Sequence, residues 1–407
     1  MSSKKSKKTT KKAKNRTLPK NGNLITSGLF LVLVFGMTSA GIISPDRKFS
    51  EMENRSLQQV PEFTAERLTK GDFTKDIENY MSDQIFAKDE LVTLKTAADT
   101  ALGKNYVNGV YLADDGYYIQ DYQEDRSRVD MNIGSLNSFA EGLDSDIPVT
   151  FLLVPNASCV LRDKLPAVNK CGDQQETAEH IREILSDRIE LAYPEEALRN
   201  EGGSCYYHTD HHWTAHGAEL GYSVLRQIMD LPAAEGFEKN VIELKDFYGT
   251  LYSKAPASWA KSDTVQLTEY EGNDITVRYV SQSGDHAVPA ECTDIGGVPT
   301  KQGLFAKAPG STKDKYASIM GGNFALCEIE TNGVSDEKVL LLKDSYANAV
   351  LPELCAQFKH ISMIDLRYYH FEEETVSEYV KSHDIDRVIY IYNIDFINTD
   401  SNFGYLE

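Results

Sequence analysis

Short apolar runs separated by longer amphipathic stretches make up most of the chain after residue 147. The apolar runs predict buried strands and lie at Thr150–Val154, Val339–Lys343, Ile361–Leu366 and Arg387–Asn393. Helical spacing occurs between them, at about residues 173–200, up to about residue 230, and at residues 371–383. Strands that alternate with helices indicate βαβ units. We therefore expect an α/β fold with a three-layer, doubly wound parallel sheet.

The pattern differs in three other regions. VYLADDGYYI, residues Val110–Ile119, alternates around Asp115-Gly116 and predicts a two-residue β-hairpin. Residues 45–104 predict a polar stalk followed by helices, with breaks near Gly71 and Gly103. From about residue 241 to 333, short alternating runs rich in Gly, Ser and Thr predict a β-containing insertion. The main domain is then expected to cover residues 105–407 and to include this insertion.

An uncharged run of twenty residues, Leu24–Ile43, predicts a helix of about 30 Å, which is long enough to span a membrane. Nine basic and no acidic side chains lie in the twenty residues before residue 21. This charge favours a cytoplasmic tail over residues 1–22, an anchor over residues 23–44 and an extracellular body. The alternative is a cleavable signal peptide that ends near Thr38-Ser39-Ala40. The length of the apolar run favours the uncleaved anchor, and thus a single-pass protein of the cell membrane.

The body of the chain is strongly acidic. Without its nine N-terminal basic residues, the formal charge of −20 becomes −29. Such a body lacks the clustered Lys and Arg that phosphate contacts require, so we expect no nucleic-acid partner. Disulfides are plausible in an exported protein with six cysteines, and unpaired buried thiols are the alternative. A pairing cannot be deduced from their positions, which are Cys159, Cys171, Cys205, Cys292, Cys327 and Cys355.

A first candidate for chemistry is VLLLKDSYANAV, in which Ser345 follows a predicted strand and precedes a predicted helix. At this junction the serine lies at the carboxyl edge of the sheet, and the free N–H groups of the helix can stabilise an oxyanion. The alternative is that Asp344 or Ser345 only caps the helix, which both residue types do well.

A second candidate is YYHTDHHWTAHGAEL, which holds four of the nine histidines of the chain. A serine hydroxyl needs an adjacent base, usually a histidine that is oriented by a carboxylate. Asp210 and His212 are two residues apart, so in an extended segment they point to the same side. Trp213 can hold this loop against the body of the protein.

Two other interpretations of the same stretch stay open at this point. Zinc is one, because His212 and His216 have a metal-ligand spacing and further ligands lie nearby, namely His208, Asp210 and His211. A full ligand motif is absent, however, and zinc would leave Ser345 without a role. The other interpretation is an ordinary polar loop in which Thr209 or Asp210 caps the following helix.

Taken together, these residues resemble a known family. Asp-His-His-Trp at residues 210–213 is similar to the signature of the DHHW family of exported bacterial proteins, which is related to the alginate O-acetyltransferases AlgJ and AlgX. The resemblance extends to FSEMENRSLQQVPEF, NGVYLADDGYYI, LLLKDSYANAVLPEL and IDLRYY. It implies an SGNH-hydrolase-like domain in which Ser345 is the nucleophile, His212 the general base and Asp210 the residue that orients the base.

The backbone N–H of Ser345 is the first expected donor to an oxyanion, and Asn348 and Asn156 are candidates for a second. Arg367, at the end of the strand in IDLRYY, can bind the acyl intermediate or a glycan, or it can form an ion pair with Asp365. Trp213 completes the set of candidate substrate-binding residues. No metal and no cofactor is expected.

The resemblance implies transfer of an acetyl group to hydroxyls of an extracellular polysaccharide through an acetyl-serine. A membrane-bound O-acyltransferase would supply the acetyl group. An exported carbohydrate esterase, in which water resolves the same intermediate, is one alternative. The other is a glycan-binding envelope protein without enzymatic activity.

Overall fold

The computed structural model describes residues 20–53, 55–280, 288–289, 294–295, 298–299, 303–305, 313–370 and 374–406. The chain divides into two compact units. One contains residues 1–48 and 56–90, and the other contains residues 49–55 and 91–407. All candidate site residues belong to the second unit. The expected basic tail lies almost entirely outside the described residues, as does Cys292.

Thirteen α-helices occur in the described residues. They are α1 Lys20–Ile43, α2 Ala65–Lys70, α3 Asp72–Asp83, α4 Lys88–Ala101, α5 Arg126–Glu141, α6 Ala157–Val160, α7 Gln174–Ile184, α8 Glu195–Glu201, α9 Ala215–Ile228, α10 Thr250–Lys254, α11 Leu351–Gln357, α12 Val376–Ser382 and α13 Ile394–Thr399. Short 3₁₀ helices include Gly202–Cys205, Tyr316–Ser318 and Ser345–Val350.

Seventeen strands occur in the same part of the chain. They are β1 Phe49–Ser50, β2 Arg55–Ser56, β3 Tyr106–Val107, β4 Val110–Leu112, β5 Tyr118–Gln120, β6 Val149–Val154, β7 Ile189–Ala192, β8 Glu238–Phe247, β9 Asp263–Glu271, β10 Thr276–Val280, β11 Val288–Pro289, β12 Asp294–Ile295, β13 Val298–Pro299, β14 Leu326–Glu330, β15 Ser335–Lys343, β16 Phe358–Ile364 and β17 Arg387–Asn393.

The second unit is a mixed α/β fold around an eight-stranded sheet of order β11-β10-β14-β16-β15-β17-β6-β7. The five strands from β16 to β7 are parallel to one another. Every residue of β6 and β17 is buried, and so are the last five residues of β15. Strands buried on both faces have continuous apolar sequences, which is why these three were predictable. Their carboxyl ends meet at one edge of the sheet.

The expected parallel sheet is confirmed for these five strands, whereas β14, β10 and β11 at the other side pair in antiparallel fashion. All three of these strands come from the region expected to be an insertion, and they extend the central sheet. Antiparallel edge strands are common on otherwise parallel sheets. The remainder of that region includes a separate two-stranded sheet of β8 and β9.

The hairpin of β4 and β5 is confirmed, but its turn is a three-residue 3₁₀ turn over Asp114–Gly116 and not the expected two-residue turn. Positive φ angles at Gly71 and Gly103 mark the ends of α2 and α4, as expected. The helix expected over residues 173–200 is wrong, since it is two helices separated by β7. The first part of the helix expected from residue 371 lies outside the described residues, and α12 begins at Val376.

The N-terminal helix contains the one candidate membrane span found in the described residues, Leu24–Ile43. Its apolar side chains are exposed: Leu29, Phe30, Val32 and Phe35 are all more than 60% accessible. Apolar exposure of this extent is unusual for a helix in water and is consistent with a single-pass membrane anchor.

Candidate active site

Ser345 lies at the carboxyl end of β15, which pairs in parallel with β16 and β17, and is the first residue of a 3₁₀ helix. Capping of this helix is the role of Asp344, whose Oδ1 accepts a hydrogen bond from the backbone N–H of Tyr346 at 2.8 Å. Its Oδ2 accepts another from the N–H of Asn393, at the end of β17. Burial raises the pKa of Asp344 to about 6 against these two bonds. The Ser345 hydroxyl is therefore not needed as a cap.

The loop before α9 is closed by backbone contacts between Tyr206 and Trp213, which form an isolated β-bridge. A carboxylate from a distant strand, Asp263, accepts hydrogen bonds from the backbone N–H groups of His208 and Thr209. Thr214 caps α9 by accepting a hydrogen bond from the N–H of Gly217. Neither Thr209 nor Asp210 caps the helix, so the structure does not support the ordinary capping loop.

The structure brings Ser345, His212 and Asp210 together. Ser345 Oγ lies 2.8 Å from His212 Nε2, and His212 Nδ1 lies 2.6 Å from Asp210 Oδ1. Asp210 and His212 are buried, and Ser345 is partly exposed. Because an ionised carboxylate can only accept, His212 Nδ1 carries the ring proton and Nε2 is free to accept the hydroxyl proton of Ser345.

Asp210 is held by a short helix that the sequence did not associate with it. The N–H and hydroxyl groups of Thr250, the first residue of α10, donate to Asp210 Oδ2 at 2.8 and 3.1 Å. A Cβ atom at Gly249 would lie 2.2 Å from the Asp210 Cβ, so only glycine allows this approach. Burial disfavours the Asp210 charge, but neighbouring histidines and these hydrogen bonds lower the pKa of Asp210 well below its usual value.

Tyr316 covers the imidazole of His212. The two rings are stacked with centroids 3.8 Å apart and planes 13° from parallel. The Tyr316 hydroxyl donates to the backbone oxygen of Ser345 at 2.8 Å, so one side chain contacts both His212 and Ser345. Burial raises the pKa of Tyr316 well above its usual value, which keeps the hydroxyl protonated as a donor.

Trp213 is completely buried and does not face the opening of the site. Its indole N–H donates to the backbone oxygen of Tyr346 at 2.9 Å, and the Tyr346 hydroxyl donates to the backbone oxygen of His211. A Cβ at Gly221 of α9 would lie 2.6 Å from the indole, so the ring is tightly packed. This position supports the role of holding the loop against the body, and it argues against a substrate contact.

A buried polar network lies beside the nucleophile. The ammonium group of Lys343 is completely buried, donates to the side-chain oxygens of Asn323 and Asn348 at 2.9 Å each, and lies 3.6 Å from Asp365. Burial lowers the pKa of Lys343. The oxygen of Asn348 accepts from this ammonium, and its NH₂ group makes one long hydrogen bond, of 3.5 Å, to Asn323 Oδ1. The second proton of this NH₂ group is the part of the amide available to a ligand.

Arg367 forms the ion pair that the sequence offered as an alternative role. Its Nε and Nη2 atoms donate to the two oxygens of Asp365 at 2.8 and 2.5 Å.

Asn156, the other asparagine proposed as an oxyanion donor, is buried and follows β6 at the same edge of the sheet as Ser345. Its side-chain oxygen is buried and accepts no hydrogen bond from the described residues.

The zinc alternative rests on the ligand atoms of Asp210, His211 and His212, which lie within 4.8 Å of one another. Both ring nitrogens of His212 already have hydrogen-bond partners, and its Nδ1 points at Asp210 itself. The ion pairs of His208 with Asp263 and of His216 with Glu201 are formed outside this cluster. The arrangement therefore fits a hydrogen-bonded Ser-His-Asp set better than a metal cage.

Sequence reasoning missed Thr250, Gly249, Tyr316 and Asp263. They come from residues 241–333, where no motif marks them, and their side chains reach the site only through the fold. Tyr346 could have been identified from the sequence, since it directly follows Ser345, the candidate nucleophile. A single tyrosine or threonine in a polar region carries no signal by itself.

The comparisons with known proteins agree with this architecture. The family model described as DHHW protein matches residues 82–364. Among curated proteins, no relative matches the chain by sequence. Two solved structures show the fold. A DHHW family protein from Eubacterium siraeum DSM 15702 has a TM-score of 0.59 at 22% identity and covers 74% of this chain and 95% of that one.

The second is Bacillus cereus PatB1, solved with a sulfonyl adduct, with a TM-score of 0.58 at 21% identity over 73% of this chain and 98% of that one. The O-acetyltransferase domain of Pseudomonas putida AlgJ has a TM-score of 0.45 at 13% identity and covers 74% of this chain and 95% of that chain.

Proposed function

The chain belongs to the DHHW family, and from this premise and the contacts of Ser345, His212 and Asp210 we propose that it is an O-acetyltransferase of the cell envelope. It would transfer acetyl groups to hydroxyls of an extracellular polysaccharide through an acetyl-serine. The single observation that carries the proposal is the continuous hydrogen-bond chain from the serine hydroxyl through the imidazole to the carboxylate, with distances of 2.8 and 2.6 Å.

In the first step, Ser345 Oγ attacks the carbonyl carbon of an acetyl donor while His212 Nε2 takes the hydroxyl proton. The bond to the donor oxygen breaks, and His212 returns the proton to that oxygen. Asp210 keeps the imidazole in the required tautomer and stabilises its charged form. In the second step, a sugar hydroxyl gives its proton to His212, attacks the acetyl carbon and displaces Ser345 Oγ, which recovers the proton.

The negative oxygen that develops in both steps needs donors in place beforehand. The backbone N–H of Ser345 is the first, because the first N–H groups of a helix have no partner within it. For the second we propose the NH₂ group of Asn348, which Lys343 orients by binding the other end of the amide. Asn156 remains a candidate at the same edge, and we propose a glycan or acyl contact for Arg367.

The N-terminal helix supports a location at the membrane surface. We propose a cytoplasmic N-terminus, an extracellular three-layer SGNH-like domain, and a multi-spanning O-acyltransferase as the source of acetyl groups. An anchored enzyme can receive an acetyl group delivered at the membrane and pass it to a nearby polymer. Neither step requires a cofactor.

The test uses the full-length protein in detergent with 4-nitrophenyl acetate as donor. We expect a burst of 4-nitrophenolate and an acetyl group on Ser345 that is visible by mass spectrometry after rapid quenching. Phenylmethylsulfonyl fluoride, a reagent for activated serines, should modify the same residue. Ser345→Ala should lower the burst rate by at least about 10³-fold, as in other enzymes of this type.

Ser135→Ala, in α5, is the matched control and should behave as the parent protein. An unchanged burst in Ser345→Ala would disprove the nucleophile. Acetylated glycan as the product, in an assay with envelope polysaccharide, would support the transferase; acetate alone, at a rate independent of added glycan, would indicate the esterase.

A further inference from the structure

His211 is the residue of the Asp-His-His-Trp motif that the proposed mechanism does not use. Its ring lies beside that of His212, with centroids 3.8 Å apart, and its side chain is 29% exposed. Its Nδ1 atom lies 2.7 Å from the Thr250 hydroxyl. Its Nε2 atom has no hydrogen-bond partner among the described residues. One edge of this imidazole is therefore fixed by the protein, and the other is open.

The hydrogen bonds around Thr250 determine which nitrogen of His211 carries the proton. The single hydroxyl proton of Thr250 is donated to Asp210 Oδ2, which as an ionised carboxylate can only accept. The Thr250 oxygen must therefore accept from His211 Nδ1. In the neutral ring, a proton on Nδ1 leaves Nε2 with a free lone pair.

The ring also stays neutral. Partial burial first, and then the repulsion that a second protonated ring at His212 would exert, lower the pKa of His211 to about 3 against the attraction of Asp210. At neutral pH, His211 therefore presents a hydrogen-bond acceptor beside the base, and it cannot donate from Nε2. A ligand that binds to His211 Nε2 must therefore supply a hydrogen-bond donor.

We propose that His211 Nε2 accepts a hydrogen bond from the hydroxyl next to the one that attacks acetyl-Ser345, so that the preferred acceptor is a sugar with two neighbouring free hydroxyls. This inference rests on the proposed function and specifies its acceptor. The attacking hydroxyl has one proton, which goes to His212 Nε2. His211 must therefore bind a different hydroxyl. Because the imidazoles of His211 and His212 are adjacent, the two hydroxyls that they bind would lie on adjacent carbons of one sugar ring.

The bond-making step is otherwise unchanged. The acceptor oxygen forms a bond to the acetyl carbon, the Ser345 Oγ–C bond breaks, and the proton passes through His212 to Ser345 Oγ. The proton held by His211 is not transferred. Water has no neighbouring hydroxyl to bind there, so this contact favours transfer to a sugar over hydrolysis.

The experiment measures acetyl transfer from 4-nitrophenyl acetate by the full-length protein to cis-cyclohexane-1,2-diol and to cyclohexanol. The two alcohols are supplied at equal concentration of hydroxyl groups, because each diol molecule carries two. We expect the parent protein to form more diol ester, by about fivefold, which is the size of one net hydrogen bond. His211→Phe keeps a flat ring against His212 but has no acceptor, and it should reduce this ratio to about one. His211→Gln keeps an acceptor oxygen and should retain part of the preference.

His216→Gln changes an exposed histidine of the same segment and should leave the ratio unaltered. A purely structural role of His211 would reduce both esters equally, so it would leave the ratio intact. Equal yields from the two alcohols with the parent protein, including none from either, would overturn the proposal, as would a full preference in His211→Phe. Failure of the proposed function would be recognised separately, by the absence of acetyl-Ser345.

Discussion

Four hydrogen bonds converge on the two side-chain oxygens of Asp210. The backbone N–H and the imidazole of His212 bind Oδ1, and the N–H and hydroxyl of Thr250 bind Oδ2. One carboxylate thereby connects the imidazole of His212, the start of α10 and, through the Thr250 hydroxyl, His211. The proton positions of both histidines depend on this carboxylate being ionised. A single substitution of Asp210 should therefore alter the protonation of both histidines and the contact with α10.

We expect Asp210→Asn to slow formation of acetyl-Ser345 by about 10³- to 10⁴-fold while the protein stays folded, because an amide no longer enforces the required tautomer of His212. The burst of 4-nitrophenolate measures this rate. The exchange should also destabilise the protein at pH 7. A lowered pKa means that the Asp210 charge stabilises the fold above the pKa of the unfolded chain, and that this contribution is lost as the pH falls through the folded value.

Urea unfolding at pH 7 and at lower pH should therefore show a difference between the parent and Asp210→Asn that shrinks with acid. Asp163→Asn, an exchange at an exposed aspartate, is the control and should show neither effect. A burst within about threefold of the parent rate would contradict the role given to Asp210.

Among the elements, α11 follows the 3₁₀ helix of the nucleophile and is buried over its entire length. It carries a carboxyl group into the core at Glu353. Oε1 of this side chain lies 3.4 Å from the Tyr270 hydroxyl, and Oε2 has no hydrogen-bond partner in the described structure. A buried carboxyl with so few donors is more stable protonated than ionised.

Burial raises the pKa of Glu353 from 4.5 to about 8. Between these values the folded protein keeps a proton that the unfolded chain has released, so stability falls as the pH rises through this window. We expect Glu353→Gln, which stays uncharged, to flatten this decline and to raise the urea midpoint at pH 8. Glu196→Gln, on the exposed side of α8, should retain the slope of the parent protein. An equally steep decline in Glu353→Gln would contradict the assignment.

The elements also show what the sequence could predict. Buried parallel strands such as β6 and β17 have continuous apolar runs, and both were found within a residue or two. β7, with the sequence IELA, is four residues long between two helices, and its mixed pattern was taken for part of a helix. β10 and β14 carry alternating polar residues on one face, and nothing in that pattern indicated that they extend the central sheet.

The site was predictable to the same extent. Asp210, His212 and Ser345 stand in motifs, and the rule that parallel strands present ligands at their carboxyl ends placed the serine correctly. Thr250 and Tyr316 reach the triad from segments without a motif, and only the packing of β8, β9 and the loop before β14 brings them there. Contacts between residues so distant in the chain are set by the fold and leave no local signature.

At the scale of the molecule, the cysteines differ from the disulfide pairing that is the simplest expectation for an exported protein. Five of them are unpaired and buried in the described structure: Cys159, Cys171, Cys205, Cys327 and Cys355. They pack among apolar side chains of the main core, or beside it in the case of Cys159. Burial raises the pKa of each of these thiols, which keeps them protonated and unreactive. The size of the core accounts for the stability of such a domain without disulfides.

The orientation that we propose for the chain in the membrane rests on charge. Basic residues next to a span are retained on the cytoplasmic side, and nine of them precede the apolar run. We therefore expect an N-terminal epitope tag to resist protease in intact spheroplasts and a C-terminal tag to be digested. Both tags should be found on one polypeptide before digestion if the anchor is uncleaved, as we propose. Permeabilised spheroplasts are the control, in which both tags should be lost.

A variant with the nine basic residues replaced by glutamine tests whether their charge sets the orientation. It should lower the fraction of molecules with a protected N-terminus. Digestion of the N-terminal tag in intact spheroplasts would reverse the orientation and place Ser345 inside the cell, away from any envelope polysaccharide. Loss of the N-terminal tag before protease is added would instead indicate cleavage near Ala40. The body would then be released from its anchor, and an acetyl donor held in the membrane could no longer be kept beside Ser345.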